Sequence, residues 1–445
     1  MYTLGYFKGK KITVMGLGLL GRGVGDIKFL AEEGAELIVT DLKSQKELQA
    51  SVDALKDFPK ITYVLGEHRL EDFRNRDFIL KAAGVALDSP FIEEAQKNNV
   101  PIEMSTSLFA KLSPATIVGI TGTRGKSTVT HLLYEILRQA QDKNTQVFLG
   151  GNIRGVSTLQ FLPQAKKGDI AVLELDSWQL QGFGESKLSP HISIFTTFLP
   201  DHLNYYRGDI HKYFQDKAHI FAFHTENDYL ILGKDVEETV KQQYKEEIKS
   251  KIIIADPEKV QGWNIAMPGE HNAYNVSVVL EAAKVLGVPE DVVKKVAAEF
   301  KGVPGRLELI REFNGIKIYN DTTATTPDAT LAGLKALGSL ASKHTILIIG
   351  GADKNLDMSK LVTAIPEYCK TVILLSGTGT ERIKNTIAGV TKVETKNLAE
   401  AVAKALEHAS SGDAILMSPA FASFGMFINE FDRGEQFNEI VKNLE

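Results

Sequence analysis

The sequence predicts an α/β fold with parallel sheets, divided over more than one domain. Short apolar segments typical of buried strands alternate with longer segments in which apolar residues recur at helical spacing. Two of these strands run into glycine-rich turns, at 16–21 and 119–128, and a helical pattern follows each turn. A third alternation of strands and helices begins at Ile316. Because 445 residues exceed the usual size of a single hydrophobic core, we expect roughly two to four domains.

The composition is that of a globular protein without a nucleic-acid or membrane partner. Hydrophobic residues make up 43% of the chain and charged residues 24%, with a net charge of −5 at pH 7. This acidic balance gives no attraction to phosphate backbones or anionic lipids. The only cysteine, Cys369, cannot form an intrachain disulfide, which suits a reducing compartment. Without a signal peptide or an apolar run of about 20 residues, the expected state is a cytoplasmic monomer.

The first glycine-rich turn is Gly16-Leu-Gly18-Leu19-Leu20-Gly21, between a predicted strand at 11–15 and a predicted helix. A second predicted strand ends at Asp41. Glycines at this spacing let the backbone approach a diphosphate, and an acid about 20 residues further on can bind a ribose. Alone, the pattern favours a dinucleotide-dependent oxidoreductase, although a purely structural turn would have the same spacing.

The second glycine-rich turn is Gly119-Ile-Thr-Gly122-Thr123-Arg-Gly125-Lys126-Ser127-Thr128. Its glycines let N–H groups reach phosphate oxygens, and the N-terminus of the following helix adds partial positive charge. Lys126 can reach the terminal phosphates, and the Ser127 hydroxyl can bind Mg²⁺. The turn therefore predicts a site for ATP and Mg²⁺. It departs from the common phosphate loop at Ile120, where that loop has a glycine.

This variant of the loop, with Thr123 before its last glycine, resembles the ATP loop of the Mur ligase family. These enzymes make amide bonds in peptidoglycan precursors, and relatives add glutamate to folates. The resemblance implies a Rossmann-like domain for a UDP-linked substrate at 1–112, a central P-loop ATPase-type domain at 113–302 and a Rossmann-like domain for an amino acid at 303–445. It also favours uridine nucleotide over NAD at the first turn.

Motifs of the central segment extend the resemblance. Glu174 ends an apolar strand and opens Glu174-Leu-Asp-Ser-Trp-Gln179-Leu, which is similar to a family motif whose glutamate binds Mg²⁺. A carboxylate at the end of a buried strand is unfavourable unless it is paired or metal-bound. Asp201-His202 resembles a family turn, and Lys217 lies where the family has a lysine that CO₂ carbamylates. Asn152 lies in a Gly-Asn-Ile sequence that resembles the family's turn near the muramoyl group.

Further motifs follow in the family's order. Asn272 and Asn275 open a helix in a Gly-x-His-Asn-x-x-Asn pattern, whose asparagines face the adenine in the family. Arg306 matches an arginine that reaches the nucleotide phosphates. Asp321 and Thr325 match Asn-Asp-Ser-Lys-Ala-Thr, although the chain has Thr323 where the family has lysine.

The C-terminal segment carries the motifs for an amino acid. Lys354 follows a Gly-Gly turn that resembles the family's substrate-binding turn. Ser423 lies in Ser418-Pro-Ala-Phe-Ala-Ser423-Phe-Gly-Met-Phe427, which is close to the mark of the D-glutamate-adding branch. The departures are Phe421 for cysteine, Gly425 for aspartate and Glu430 for an aromatic residue.

The resemblance implies four sets of site residues. The catalytic set is Lys126, Glu174, His202 and Lys217, and the Mg²⁺ ligands are Ser127, Glu174, His202 and Lys217. ATP would be held by Gly122, Thr123, Gly125, Lys126, Ser127, Thr128, Asn272, Asn275, Arg306 and Asp321. The two other substrates would be held by Gly18, Leu19, Leu20, Asp41, Asn152, Gln179, Thr325, Lys354 and Ser423.

The activity implied is the ATP-dependent addition of D-glutamate to UDP-N-acetylmuramoyl-L-alanine through an acyl phosphate. Two alternatives remain open at this point. One is a related ligase with another acceptor, such as L-glutamate, or an enzyme similar to folylpolyglutamate synthase; the first turn and the 418–427 motif argue against it. The other is a non-catalytic nucleotide-binding protein, which the retained Lys126, Glu174 and Lys217 disfavour.

Overall fold

The computed structural model describes residues 1–18, 21–140, 144–201, 205–244, 246–267, 269–338 and 344–445. The chain forms two compact units. The first contains Met1–Gly262 and Tyr274–Val296, and the second contains Trp263–Ala273 and Ala297–Glu445.

The first unit opens with a parallel sheet in the order β3-β2-β1-β4-β5. Its strands are β1 (Lys11–Met15), β2 (Glu36–Asp41), β3 (Thr62–Leu65), β4 (Phe78–Lys81) and β5 (Ile102–Glu103), and its helices are α1 (Arg22–Glu32), α2 (Gln49–Asp53), α3 (Pro90–Lys97) and α4 (Ser105–Leu112). The strand order reverses at β1, which pairs with β2 on one side and β4 on the other. Such a reversal opens a crevice at the carboxyl ends of the strands, and the first glycine-rich turn begins there.

The second sheet of this unit is also parallel, in the order β11-β10-β9-β6-β8-β7. Its strands are β6 (Thr116–Thr121), β7 (Val147–Gly151), β8 (Ile170–Glu174), β9 (Ile192–Phe195), β10 (Tyr229–Gly233) and β11 (Lys251–Ala255). The helices that follow in the chain are α5 (Lys126–Ala140), α6 (Ser177–Glu185), α7 (Ile210–Ala218), α8 (Lys234–Tyr244), α9 (Glu270–Val285) and α10 (Glu290–Glu299). Because β6 lies between β8 and β9, the turn that follows β6 lies at the centre of this sheet's edge.

The second unit carries a sheet in the order β12-β13-β17-β14-β15-β16. Its strands are β12 (Glu308–Phe313), β13 (Ile316–Asn320), β14 (Thr345–Gly350), β15 (Cys369–Leu375), β16 (Thr391–Thr395) and β17 (Ala414–Met417), and its helices are α11 (Pro327–Gly338), α12 (Ser359–Tyr368), α13 (Thr378–Ile383), α14 (Leu398–His408) and α15 (Glu430–Lys442). All neighbouring strands are parallel except β12, which forms an antiparallel hairpin with β13.

The three sheets, with the helices that alternate with their strands, confirm the predicted α/β fold class. One detail of the ATP turn differs from the sequence interpretation, because Gly119 and Ile120 belong to β6 and the turn itself starts at Gly122. A Cβ atom on Gly119 would lie 2.5 Å from Cγ of Pro190, so this glycine permits close packing and is not part of a phosphate cradle. Among the described residues, no helix is long and apolar enough to cross a membrane.

Candidate active site

The ATP turn, residues 122–125, joins the central strand β6 to helix α5. Gly122 has φ +144° and Gly125 has φ +85°, a backbone region that favours glycine. A Cβ atom on Gly122 would lie 2.0 Å from Oγ1 of Thr196, and one on Gly125 would lie 2.5 Å from Oδ1 of Asn275. Glycine is therefore required at both positions by conformation and by space.

A polar segment after β9 holds this turn in place. The N–H of Thr123 donates to the carbonyl of Thr197 at 2.7 Å, and the N–H of Arg124 donates to Oγ1 of Thr197 at 2.9 Å. Oγ1 of Thr123 donates to the carbonyl of Leu199 at 3.0 Å. The turn is thus shaped by the protein itself. The amides of the first turn of α5, which include Ser127 and Thr128, have no intrahelical acceptor by helix geometry and are suited to phosphate oxygens.

Two lysines converge on one carbonyl of this turn. Nζ of Lys126 and Nζ of Lys217 each donate to the carbonyl of Gly122 at 2.9 Å. Lys217 lies on α7 and is 1% exposed. Burial, reinforced by the charge of Lys126, holds the pKa of Lys217 well below its ordinary value. Lys217 therefore loses its proton more readily than an exposed lysine does, and the deprotonated amine is a nucleophile.

Glu174 lies beside the turn at the end of β8, paired with Ile120 of β6 and with Gly151 of β7. It is 2% exposed, and its carboxylate has no hydrogen bond or ion pair with another described residue. A buried carboxylate without a protein partner is suited to a cation.

The candidate metal ligands are only partly placed. Glu174 and the hydroxyl of Ser127 offer the oxygen donors that Mg²⁺ prefers. His202 lies outside the described residues, as do Leu19 and Leu20. Within the described ranges, no group of three or more His, Cys, Asp or Glu side chains could hold a metal ion.

Asp41 shapes the first glycine-rich turn. The N–H of Gly18 donates to one of its carboxylate oxygens at 3.1 Å, and the N–H of Lys43 donates to the other at 2.9 Å. Asp41 is 7% exposed. Both oxygens are engaged by backbone, so the side chain fixes the turn as well as bordering it.

Asn152 and Gln179 differ in what they can offer a ligand. The N–H of Asn152 donates to the carbonyl of Glu174 at 2.8 Å, which places this half-exposed residue beside the candidate metal ligand. Gln179 forms a capping box with Asp176 at the start of α6, and its Nε2 donates to Oγ1 of Thr106 at 3.2 Å. Both ends of the Gln179 amide are therefore used within the protein.

Helix α9 supplies the candidate adenine residues. Asn272 and Asn275 are 6% and 5% exposed. Asn275 faces Gly125 of the ATP turn, and the neighbouring Tyr274 hydroxyl donates to the carbonyl of Thr196 at 2.8 Å. Asn275 is thus within reach of a nucleotide on that turn.

The second unit joins two of the three candidate amino-acid residues, and the third lines a cavity. Nζ of Lys354 donates to Oγ1 of Thr325 at 2.9 Å. Ser423 borders a cavity of about 290 Å³ that Gly351 and Arg433 also line. Arg433 is completely buried, and its Nη2 donates to the carbonyl of Thr322 at 2.8 Å.

Asp321 and Arg306 have different surroundings within this unit. Asp321 accepts hydrogen bonds from the Ser418 hydroxyl at 2.7 Å and the Leu307 N–H at 3.0 Å. Burial raises the pKa of Asp321 to about 7. Arg306 is exposed. The carboxylate of Asp321 therefore fixes the start of β12 from within the sheet.

Sequence reasoning missed two features of the site. The first is the capping box, which was readable as Asp-x-x-Gln ahead of a helical pattern. The second is Arg22, whose Nη1 donates to Oδ1 of Asn152 at 2.8 Å. Its only local signal is a base at the start of a helix, where the helix dipole disfavours positive charge.

Comparison with known proteins agrees with this arrangement. Three family models match consecutive parts of the chain: a Mur ligase MurD-like N-terminal domain at residues 10–103, a Mur ligase middle domain at 120–256 and a Mur ligase glutamate ligase domain at 305–421. A curated relative from Roseiflexus sp. (strain RS-1), named UDP-N-acetylmuramoylalanine–D-glutamate ligase, is 35% identical over 471 residues, covering 98% of this chain and 99% of its own.

Solved structures show the same fold at lower identity. UDP-N-acetylmuramate–alanine ligase MurC from Thermotoga maritima has a TM-score of 0.62 and 19% identity, covering 97% of this chain and 99% of its own. MurF ligase from Thermotoga maritima in complex with ADP has a TM-score of 0.59 and 17% identity, covering 99% and 97%. With three family models in order and a relative matched over nearly its whole length, the chain belongs to the Mur ligase family.

Proposed function

We propose that the protein uses ATP to add D-glutamate to UDP-N-acetylmuramoyl-L-alanine in peptidoglycan precursor synthesis. The observation that carries the proposal is the ATP turn at 122–125, shaped in advance and approached by Lys126, Lys217 and Glu174. The acceptor and the UDP-linked donor come from full-length similarity to D-glutamate ligases. We also propose domain limits of 1–112, 113–302 and 303–445, and a monomeric, cytoplasmic protein.

The reaction has two steps. A carboxylate oxygen of the UDP-linked substrate attacks the γ-phosphorus of ATP. The bond between that phosphorus and the oxygen bridging the β- and γ-phosphates breaks, which gives an acyl phosphate and ADP. The amine of glutamate then attacks the acyl carbon, loses a proton and expels inorganic phosphate. Both steps gather negative charge at the phosphate, where Lys126 and the amides at the start of α5 stabilise it.

Mg²⁺ would neutralise phosphate charge in this site. We assign its ligands to Ser127, Glu174, His202 and a carbamylated Lys217. Two ammonium groups on the carbonyl of Gly122 would repel each other, which favours loss of a proton from Lys217. Attack of the resulting neutral amine on CO₂, with loss of a second proton, gives a carbamate anion that can bind a metal.

The remaining residues would orient the substrates. Asn272, Asn275, Arg306 and Asp321 are assigned to ATP together with Gly122, Thr123, Gly125 and Thr128. The UDP-linked donor is assigned to Gly18, Leu19, Leu20, Asp41, Asn152 and Gln179. Thr325, Lys354 and Ser423 are assigned to glutamate, because the first two are already joined and the third borders a cavity.

Phosphate release from ATP tests the proposal. We expect release only when UDP-N-acetylmuramoyl-L-alanine and an amino acid are both present, with D-glutamate preferred over L-glutamate, D-aspartate and neutral amino acids at equal concentration. Clear preference for a neutral amino acid would exclude glutamate as the acceptor. Preference for L-glutamate would overturn only the stereochemistry, and it is the outcome to watch because Thr323, Gly425 and Glu430 depart from the family pattern.

A further inference from the structure

Arg22 connects the two sheets of the first unit at the proposed donor site. It is the first residue of α1, and its Nη1 donates to Oδ1 of Asn152, which follows β7. A cation at the N-terminus of a helix is electrostatically unfavourable, because the helix dipole places partial positive charge there. The first turn of α1 holds no acidic residue, and the nearest carboxylate on the helix, that of Asp26, lies four residues further along and interacts with the charge of Arg22. The hydrogen bond to Asn152 gives the Arg22 side chain a partner outside its own helix.

The helix that carries Arg22 is fixed in position. One turn further along α1, a Cβ atom on Gly25 would lie 2.6 Å from Cβ of Ser157. Oδ1 of the neighbouring Asp26 accepts a hydrogen bond from the Ser157 hydroxyl at 2.5 Å, and Nε2 of Gln160 donates to the carbonyl of Gly25 at 3.2 Å. Helix α1 therefore cannot slide along the segment after Asn152, and the guanidinium is presented from a rigid base.

Asn152 is fixed from its own side as well. Its N–H donates to the carbonyl of Glu174 at 2.8 Å. The preceding Gly151 has φ +84°, and a Cβ atom there would lie 2.2 Å from the same carbonyl. The backbone of Asn152 is thus held against the end of β8, and only the orientation of its amide group remains to be set.

The chemistry of the pair sets that orientation. An amide side chain has one oxygen that accepts and one nitrogen that donates, whereas a guanidinium can only donate. The oxygen of Asn152 must therefore face Arg22, so the nitrogen is the part that remains for a ligand.

We propose that Arg22 is a positioning residue for the UDP-linked donor, which rests on the proposed function. It holds Asn152 so that Nδ2 donates to a carbonyl or carboxylate oxygen of the donor's acyl end, beside Glu174. This arrangement suits a ligand whose reacting end is an oxygen acceptor. It aligns that end by a hydrogen bond from a rigid amide.

A double-mutant cycle tests the inference in the full-length protein, with phosphate release as the assay. Arg22→Leu should raise KM for UDP-N-acetylmuramoyl-L-alanine about tenfold, since a hydrogen bond to a charged group contributes about that much. KM for ATP should stay within about twofold. Asn152→Ala should raise the donor KM at least as much. Because Arg22 acts through Asn152, the double variant should be no worse than Asn152→Ala alone.

Three further variants complete the design. Arg22→Lys keeps a donor for Oδ1 and should restore most of the affinity for the donor substrate. Asn152→Asp keeps a partner for Arg22 but loses the nitrogen, so it should be as impaired as Asn152→Ala. Lys28→Leu removes an exposed cation from the same helix and should leave every KM unchanged.

Two results would overturn the inference. An unchanged donor KM in Arg22→Leu would show that Arg22 has no part in binding, and additive losses in the double variant would show that it acts independently of Asn152. Both results would leave the proposed function standing. An unaltered protein that releases no phosphate with the UDP-linked donor would instead overturn the proposed function and this inference with it.

Discussion

Helices α1 and α5 begin alike but have different surroundings. Each follows a strand at the reversal point of a parallel sheet, and each starts after a glycine of nearly the same conformation, Gly21 at φ +83° and Gly125 at φ +85°. The first helical residue is a base in both, Arg22 in α1 and Lys126 in α5. The guanidinium turns away to Asn152, whereas the ammonium returns to the carbonyl of Gly122.

The residues behind each turn also differ. At the first turn, the carboxylate of Asp41 accepts the N–H of Gly18, so an amide donor is matched by a protein anion. At the second turn, neutral groups of Thr197 accept the amides of Thr123 and Arg124, and Lys217 adds a second amine. The glycine spacing therefore predicts the shape of a turn but not the charge around it, which is a carboxylate at the first turn and two lysine amines at the second.

The largest effect is expected from substitution of Lys126, the basic residue that begins α5. Lys126→Ala should lower kcat by about a thousandfold or more, because it removes a cation from the phosphate that gathers charge. The melting temperature should change little, since the side chain of Lys126 donates to carbonyls of the turn itself, those of Gly122 and Thr123, and holds no part of the core. Lys43→Ala, beside the first turn, is the matched control and should retain activity. Near-normal turnover of Lys126→Ala would show that the ATP turn is misassigned.

The second amine at this turn gives the next effect. Lys217→Ala should be inactive and partly rescued by short-chain carboxylates, which replace the carbamate anion. Incubation with ¹³C-labelled CO₂ should give a carbamate NMR signal that is lost in Lys217→Ala and kept in Lys212→Ala, an exposed lysine of the same helix. Because burial lowers the pKa of Lys217, the signal should persist to lower pH than that of a carbamate on an exposed lysine. Activity with an unmodified amine would contradict the proposal.

Much of this comparison was predictable from the sequence. Each glycine-rich turn lies between a predicted strand and a predicted helix. Both turns and the Lys126–Ser127 pair can therefore be recognised from neighbouring residues in the sequence. The site role of Lys217 was expected only through a family resemblance, and its burial was not predicted, because helical spacing alone does not distinguish it from a solvated lysine. The antiparallel β12 was not predicted, since a short strand with half-exposed residues has a weak alternation signal.

Other features depend on contacts that no local pattern encodes. The bond between Arg22 and Asn152 joins residues 130 positions apart. It follows from the packing of α1 on the segment after β7, which requires the tertiary structure. The role of Gly119 was misjudged for the same reason, because Pro190 approaches it from another part of the chain.

The fifth residue of each helix provides a stability test of the comparison. Asp26 in α1 is buried where α5 has Thr130, whose Oγ1 donates to the carbonyl of Lys126 at 2.8 Å. Burial raises the pKa of Asp26 from 3.8 to about 6. Between these values the folded protein binds more protons than the unfolded chain, so the contribution of Asp26 to stability falls as pH rises.

Asp26→Asn removes this titration. The unfolding free energy of the variant minus that of the unaltered protein should rise by on the order of 2 kcal/mol between pH 4 and pH 7 and then level off. Denaturant unfolding at a series of pH values measures the difference. Thr130→Ser should show no such pH dependence. A difference that is constant with pH would mean that Asp26 titrates normally despite its burial.

The smallest expected effects come from loosening each turn in the same way. Asp41→Ala removes the acceptor of the Gly18 N–H, and Thr197→Val removes the side-chain acceptor of the Arg124 N–H. If the first turn holds uridine nucleotide and the second holds ATP, the effects should separate. Asp41→Ala should raise KM for the UDP-linked donor about tenfold, because a bond to a carboxylate is roughly twice as strong as a neutral one. Thr197→Val should raise KM for ATP about threefold.

Calorimetry on the intact protein should detect binding of the UDP-linked donor and no binding of NAD. Tight binding of NAD, or an equal effect of Asp41→Ala on both KM values, would show that the first turn does not hold the uridine nucleotide and that the two turns are not divided between the two substrates.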